Sequence, residues 1–135
     1  MFLFESLLVA MSTYSVIPVP QFEWNDRNMK YAICFFPAVG IFCGTALWGW
    51  SALADSLGIG GFFFAMIATC LPLLITGGIH MDGYMDTVDA LASHQSRERK
   101  LEILKDPNCG AFAVIYCGVY LLIYAGLIHE LFTAN

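Results

Sequence analysis

In a chain that otherwise avoids charge, the run Thr76-Gly-Gly-Ile-His80-Met-Asp82-Gly-Tyr-Met-Asp86-Thr-Val-Asp89-Ala-Leu places three acids at intervals of four and three residues. If residues 81–92 form a helix, Asp82, Asp86 and Asp89 share one face within an arc of about 60°. Like charges so close repel, and a hard divalent cation is the natural compensator. Mg²⁺ prefers carboxylate oxygen, keeps several waters, and takes one or two protein carboxylates together with a substrate phosphate. Asp82 and Asp89 would stand roughly 10 Å apart along the axis, so one ion cannot be reached by all three from an undistorted helix. Either two ions sit on neighbouring pairs, or one ion is shared with acids from elsewhere while the third Asp positions a nucleophile.

A solvated acidic helix face is the competing account. Ionisable residues beside a bilayer are costly and usually functional, which favours the chemical account here. Gly77, Gly78 and Gly83 let backbone or ligand come close, with Gly78 and Gly83 the candidate substrate contacts; equally, they serve to end one helix and loosen the start of the next. His80 can supply a metal nitrogen or donate to a phosphate, or it is simply a hydrogen-bonded interfacial residue. His94 and His129 have no supporting constellation.

A basic stretch follows. Ser96-Arg-Glu-Arg-Lys-Leu-Glu-Ile-Leu-Lys105 is expected to form a short amphipathic helix with Ser96 as its N-cap, ended by Asp106-Pro107-Asn108-Cys109-Gly110. Its bases either hold the helix to acidic lipid head groups or face the carboxylates and bind substrate phosphates, with Arg97, Arg99, Lys100 and Lys105 the candidates. Acids, a cation and nearby bases, without a P-loop or a Cys or Ser nucleophile motif, point to transfer at a pyrophosphate, an Asp acting as base toward an incoming hydroxyl.

The elements that must position these residues are membrane helices. Of the 135 residues, 59% are hydrophobic and 13% charged, far from the composition of a water-soluble globule. A net charge of −5 argues against a nucleic-acid partner, and an aromatic content of 15% excludes intrinsic disorder. The five cysteines contain no CxxC pair and read as small hydrophobes rather than a disulfide framework or zinc site. Tyr31 to Ala54, Ile59 to Thr76 and Ala111 to Phe132 are each long enough to cross a bilayer, and Phe2 to Val19, which carries Glu5 and stops at Pro18 and Pro20, is a weaker fourth. The amino-terminal segment lacks a basic region and a cleavage site, so it is expected to be retained structure rather than a signal peptide.

The expected fold is thus all-α: one multi-pass membrane domain over residues 1–135, with about four membrane segments plus short cytoplasmic helices. Arg27 and Lys30 precede the second run, and Arg97, Arg99, Lys100 and Lys105 lie between the third and fourth, whereas Asp55 to Gly58 has no base. The positive-inside preference therefore turns both basic loops toward the cytoplasm. Trp24, Trp48 and Trp50 suit the interfaces, while Gly40 and Gly44 either admit a neighbouring helix or belong to ordinary packing.

The acid run, together with Arg97-Glu-Arg-Lys-Leu-Glu-Ile-Leu-Lys105-Asp106 and Gly110-Ala-Phe-Ala-Val, resembles the central signature of the cobalamin synthase (adenosylcobinamide-GDP ribazoletransferase) family. Val16-Ile-Pro18-Val-Pro20, Trp24 and Phe35-Phe-Pro37-Ala-Val-Gly40 resemble its amino-terminal pattern. The resemblance implies a Mg²⁺-dependent, multi-pass enzyme of the cytoplasmic membrane. It would join adenosylcobinamide-GDP to α-ribazole or its 5′-phosphate, releasing GMP, with Asp82, Asp86 and Asp89 as metal and catalytic acids, His80 beside them, and Lys105 and Asp106 as substrate contacts. Members of that family are roughly twice as long, which implies a truncated or split product, or assembly as a homo-oligomer or with a complementary membrane subunit. A CDP-alcohol phosphotransferase type is the second enzyme reading, set lower because it expects Ala-Arg after Asp-Gly-x-x. A cation-binding membrane subunit and a non-catalytic fragment are the readings outside catalysis.

Overall fold

A computed structural model of the chain describes residues 2–20 and 26–134. The described residues form helices and no strands: α1 (Phe2–Tyr14), α2 (Asp26–Ala32), a 3-10 turn (Ile33–Phe35), α3 (Phe36–Leu57), α4 (Gly61–Thr76), α5 (Ile79–Ala92), α6 (Arg97–Ile103) and α7 (Ala111–Thr133). Their contacts group into a first unit reaching to Ile79 and a second starting at His80.

The first unit is held by small, closely approaching residues. Val9, Ala10 and Ala32 form its core, with Tyr14 and Phe35 packed against them. α1 packs on α2 and α3, and α3 packs on α4. Trp50 secures the second of these contacts: its indole N–H donates to the Phe64 carbonyl at 3.1 Å, and its ring stacks on Phe64 at 6.2 Å between centroids. Trp50 is thus an internal strut, while Trp48 is 76% exposed, as an interfacial aromatic would be; Trp24 lies outside the described residues. Gly40 and Gly44 face open space, so no described neighbour makes use of their small size.

Helix ends follow local chemistry. Ser12 and Thr13 hydroxyls both donate to the Val9 carbonyl, and Ser15 donates to Met11, competing with the helical ladder before Pro18 and Pro20 forbid it. α3 ends on Gly58 and α4 on Gly77, each with left-handed φ (62° and 63°). Gly78 continues the turn at φ 76°, and its N–H donates to the Leu73 carbonyl.

The expected number of membrane segments is corrected by these lengths. Two stretches, Met29–Leu57 and Ala111–Thr133, are long and apolar enough to cross a bilayer, and α4 with α5 passes only as a broken pair, giving two to three spans rather than about four. With 13 residues, α1 reaches only about 20 Å against a hydrocarbon core of roughly 30 Å. α4 has 16 residues and is also short by itself. Apolar side chains stand open along the spans, among them Ile41 and Leu122 at 67% and 74% exposure, which is the surface that lipid covers in a membrane protein.

Candidate active site

The acids lie on α5, which begins two residues before the expected helix and continues unbroken through Ala92. Asp82 sits in its first turn and is exposed; Asp86 and Asp89 are half-buried. No side-chain hydrogen bond or ion pair engages Asp82 or Asp86 among the described residues. Gly83 leaves open space beside them, and its carbonyl accepts from the Thr87 hydroxyl at 2.7 Å.

Asp89 differs. Its Oδ2 accepts from the backbone N–H of Gly110 at 2.5 Å, and its Oδ1 from that of Ala113 at 2.9 Å. Gly110 is the N-cap of α7 and has no side chain to satisfy the first N–H groups of that helix, so a carboxylate from α5 does so. A Cβ on Gly110 would stand 2.6 Å from both carboxylate oxygens, which explains why glycine suits this position.

The loop leading into α7 is ordered by its own turn. The Asp106 carboxylate accepts from the Asn108 N–H at 2.9 Å and from the Asn108 side-chain amide at 2.7 Å, which together hold its carboxyl below the usual range. One residue on, the Cys109 thiol is pushed above its ordinary value, first by partial desolvation and then by the negative charges of Asp89, Asp86 and Asp82 among its neighbours. The thiol therefore lies within electrostatic reach of the three acids. Ring contacts brace the two helices further along: Tyr84 meets Tyr120 at 5.7 Å, and Tyr120 stacks on Tyr124 at 5.9 Å. On a side of α5 turned away from the acids, a groove of about 440 Å³ is lined by Val88, Leu91, Ala92, His94, Phe112 and Tyr116.

α6 starts as expected, with the Ser96 hydroxyl accepting from the Arg99 N–H at 3.4 Å, and stops at Ile103. The Glu98 carboxyl is held low by its own backbone N–H and then by the Ser96 hydroxyl. Arg99 is paired with Glu102 at 2.6 Å, both exposed, so its guanidinium is committed along α6 rather than to the carboxylates. Arg97 and Lys105 are exposed, and no hydrogen bond or ion pair joins them to Asp82, Asp86 or Asp89 among the described residues. His80 is exposed at the start of the second unit, whereas Gly78 belongs to the first, where its conformation terminates α4.

Among the described residues no group of three or more His, Cys, Asp and Glu side chains converges as a metal cage would. The donors nonetheless suit a hard ion that keeps most of its waters: Asp82 and Asp86, one turn apart, offer carboxylate oxygens that no other side chain claims. Asp89, expected among the ligands, has both oxygens occupied by backbone donors. That cap and the approach of Cys109 were not foreseen; the glycine directly before an apolar helix was the one signal pointing to either.

Residues 6–134 match the family model described as cobalamin-5-phosphate synthase. The adenosylcobinamide-GDP ribazoletransferase of Lachnoclostridium phytofermentans is 51% identical over 127 residues, covering 94% of this chain and 49% of that protein. Proteins of the same name from Clostridium perfringens and Brevibacillus brevis are each 38% identical, covering 92% and 94% of this chain and 50% and 51% of theirs. The chain spans about half the length of these curated relatives. No solved structure matches it.

Proposed function

Because the chain belongs to the cobalamin-5-phosphate synthase family, we propose that it carries the reaction centre for transfer of a cobinamide phosphate group from adenosylcobinamide-GDP to α-ribazole or its 5′-phosphate, releasing GMP. The observation carrying this reading is the pair Asp82 and Asp86, one turn apart on α5 and unclaimed by any other side chain among the described residues.

In the proposed reaction a ribose hydroxyl oxygen attacks the phosphorus attached to cobinamide, and a new P–O bond forms. The bond from that phosphorus to the bridging oxygen of the diphosphate breaks, and GMP departs with the electron pair. Asp82 and Asp86 would hold Mg²⁺, which when bound neutralises charge on the diphosphate. The hydroxyl proton passes to a carboxylate of this face or to His80. Lys105 and Arg97, exposed and without an ion-pair partner among the described residues, attract the anionic substrate, and Gly83 leaves room for it.

The bases Lys30, Arg97, Arg99, Lys100 and Lys105 favour a cytoplasmic position for α5 and α6 in the cell membrane. A complementary membrane segment, on a second copy or another subunit, is the proposed partner that closes the corrinoid pocket. GMP release from adenosylcobinamide-GDP and α-ribazole, in membranes containing the folded chain with and without Mg²⁺, tests the reading. Release that requires the metal and is lost in Asp86→Asn supports it; no release from verified folded protein, with or without a complementary segment, rejects it.

A further inference from the structure

We propose that Asp89 is a positioning residue rather than a metal ligand: its carboxylate clasps the start of α7 and thereby holds the Lys105–Gly110 loop against the face that bears Asp82 and Asp86. The inference rests on the proposed reading only for what that face does; the clasp itself is independent of it.

Four observations converge. Asp89 spends one oxygen on the Gly110 N–H and the other on the Ala113 N–H, the N-cap and third helical residues of α7. In a capping box those two donors are satisfied by two local side chains; here a single carboxylate from another helix satisfies both. α7 carries no acidic residue in its first turn, and its N-cap is glycine, so no local side chain substitutes. α7 is long and apolar enough to cross a bilayer, and the first N–H groups of any helix lack partners within the helix itself, so those of α7 depend on a partner from outside it.

Gly110 completes the fit. A methyl there would lie 2.6 Å from each Asp89 oxygen and 2.7 Å from the carboxyl carbon, so alanine must push the carboxylate away. The loop it anchors carries Cys109, whose thiol feels the charges of all three acids, and Asp106, tied by its own turn to Asn108. Ligating an ion through Asp89 would require giving up at least one of the two N–H bonds. Asp82 and Asp86 carry no such cost.

The test measures two things on the full chain in detergent: amide exchange over residues 109–114, and binding of Mn²⁺, as a spectroscopic stand-in for Mg²⁺, followed by its electron paramagnetic resonance. Asp89→Ala and Gly110→Ala should each speed exchange of the Gly110 and Ala113 amides about fivefold, without adding in the double variant. Asp89→Asn, which keeps one acceptor oxygen, should fall between Asp89→Ala and the parent. Mn²⁺ affinity should be unchanged in Asp89→Ala and Gly110→Ala but weakened about tenfold or more in Asp86→Ala. In the unsubstituted chain, saturating Mg²⁺ should leave exchange at Gly110 and Ala113 as slow as before.

Faster exchange there on adding Mg²⁺, or a loss of Mn²⁺ affinity in Asp89→Ala matching Asp86→Ala, would overturn the proposal. The Mg²⁺ comparison decides the matter even where a variant does not fold. Should the chain release no GMP, the transferase reading fails, while exchange and Mn²⁺ binding still report on the clasp.

Discussion

Val16 and Gly77 meet where the extended segment after α1 crosses the end of α4: a Cβ on Gly77 would stand 2.7 Å from Val16 Cγ1, and the Val16 N–H donates to the Ile75 carbonyl at 2.9 Å. Gly77 is thus constrained twice, by this contact and by its left-handed φ of 63°. Gly78, at φ 76°, has nothing within 4 Å and is constrained by conformation alone.

Gly78→Ala should therefore cost about 1 kcal/mol, the left-handed penalty, and Gly77→Ala should cost about 1–2 kcal/mol more because an added methyl overpacks the contact. Adding Val16→Ala should recover part of the loss in Gly77→Ala and none of it in Gly78→Ala. Thermal unfolding of the four variants in one detergent checks both statements.

Neutralising the acids should separate their roles. Asp82→Asn and Asp86→Asn are expected to lower GMP release by about a hundredfold or more, and a chelator should abolish release that added Mg²⁺ restores. A residual rate indifferent to chelation would place the reaction elsewhere.

Cys109 supplies a pH test. Its thiol lies above the ordinary value, so the reactive thiolate forms later than in a free cysteine as pH rises. Maleimide labelling at Cys109, followed by peptide mass spectrometry without added metal, should rise at higher pH than for an unfolded peptide of the same sequence. Asp86→Asn removes a neighbouring negative charge and should move that profile back toward lower pH.

Asp106 behaves in the opposite sense. Its carboxyl is held low by Asn108, so the turn contributes fully above the ordinary carboxylate range and is lost as pH falls through the depressed folded value. Asn108→Ala should therefore be less stable than the parent at neutral pH, and the gap should narrow as pH falls below the ordinary carboxylate range. A gap unchanged across that range would mean that the side chain acts otherwise.

Much of this was legible beforehand because it depends on local pattern. The apolar runs gave α3, α4 and α7, the four-and-three spacing of the acids gave one helical face, and Ser96 marked the start of α6. The short reach of α1 was less legible, although Ser12, Thr13 and Ser15 spell it out once their hydroxyls are seen bonding back to the helix. The role of Trp50 as a strut depended on where Phe64 falls, which composition does not reveal. Hidden altogether was the pairing of Asp89 with Gly110 and Ala113, because its donors are backbone groups that every residue but proline carries, and Gly110 lies 21 positions beyond Asp89 in the chain.

The three acids consequently do not carry equal electrostatic burdens. Asp82, in the opening turn of α5, leans on the positive end of its own helix, and Asp89 leans on the positive end of α7. Asp86, mid-helix, has neither support among the described residues. Its negative charge is the least shared of the three, so under the proposed reading an arriving cation would gain most by settling first on the middle carboxylate and only then reaching toward Asp82.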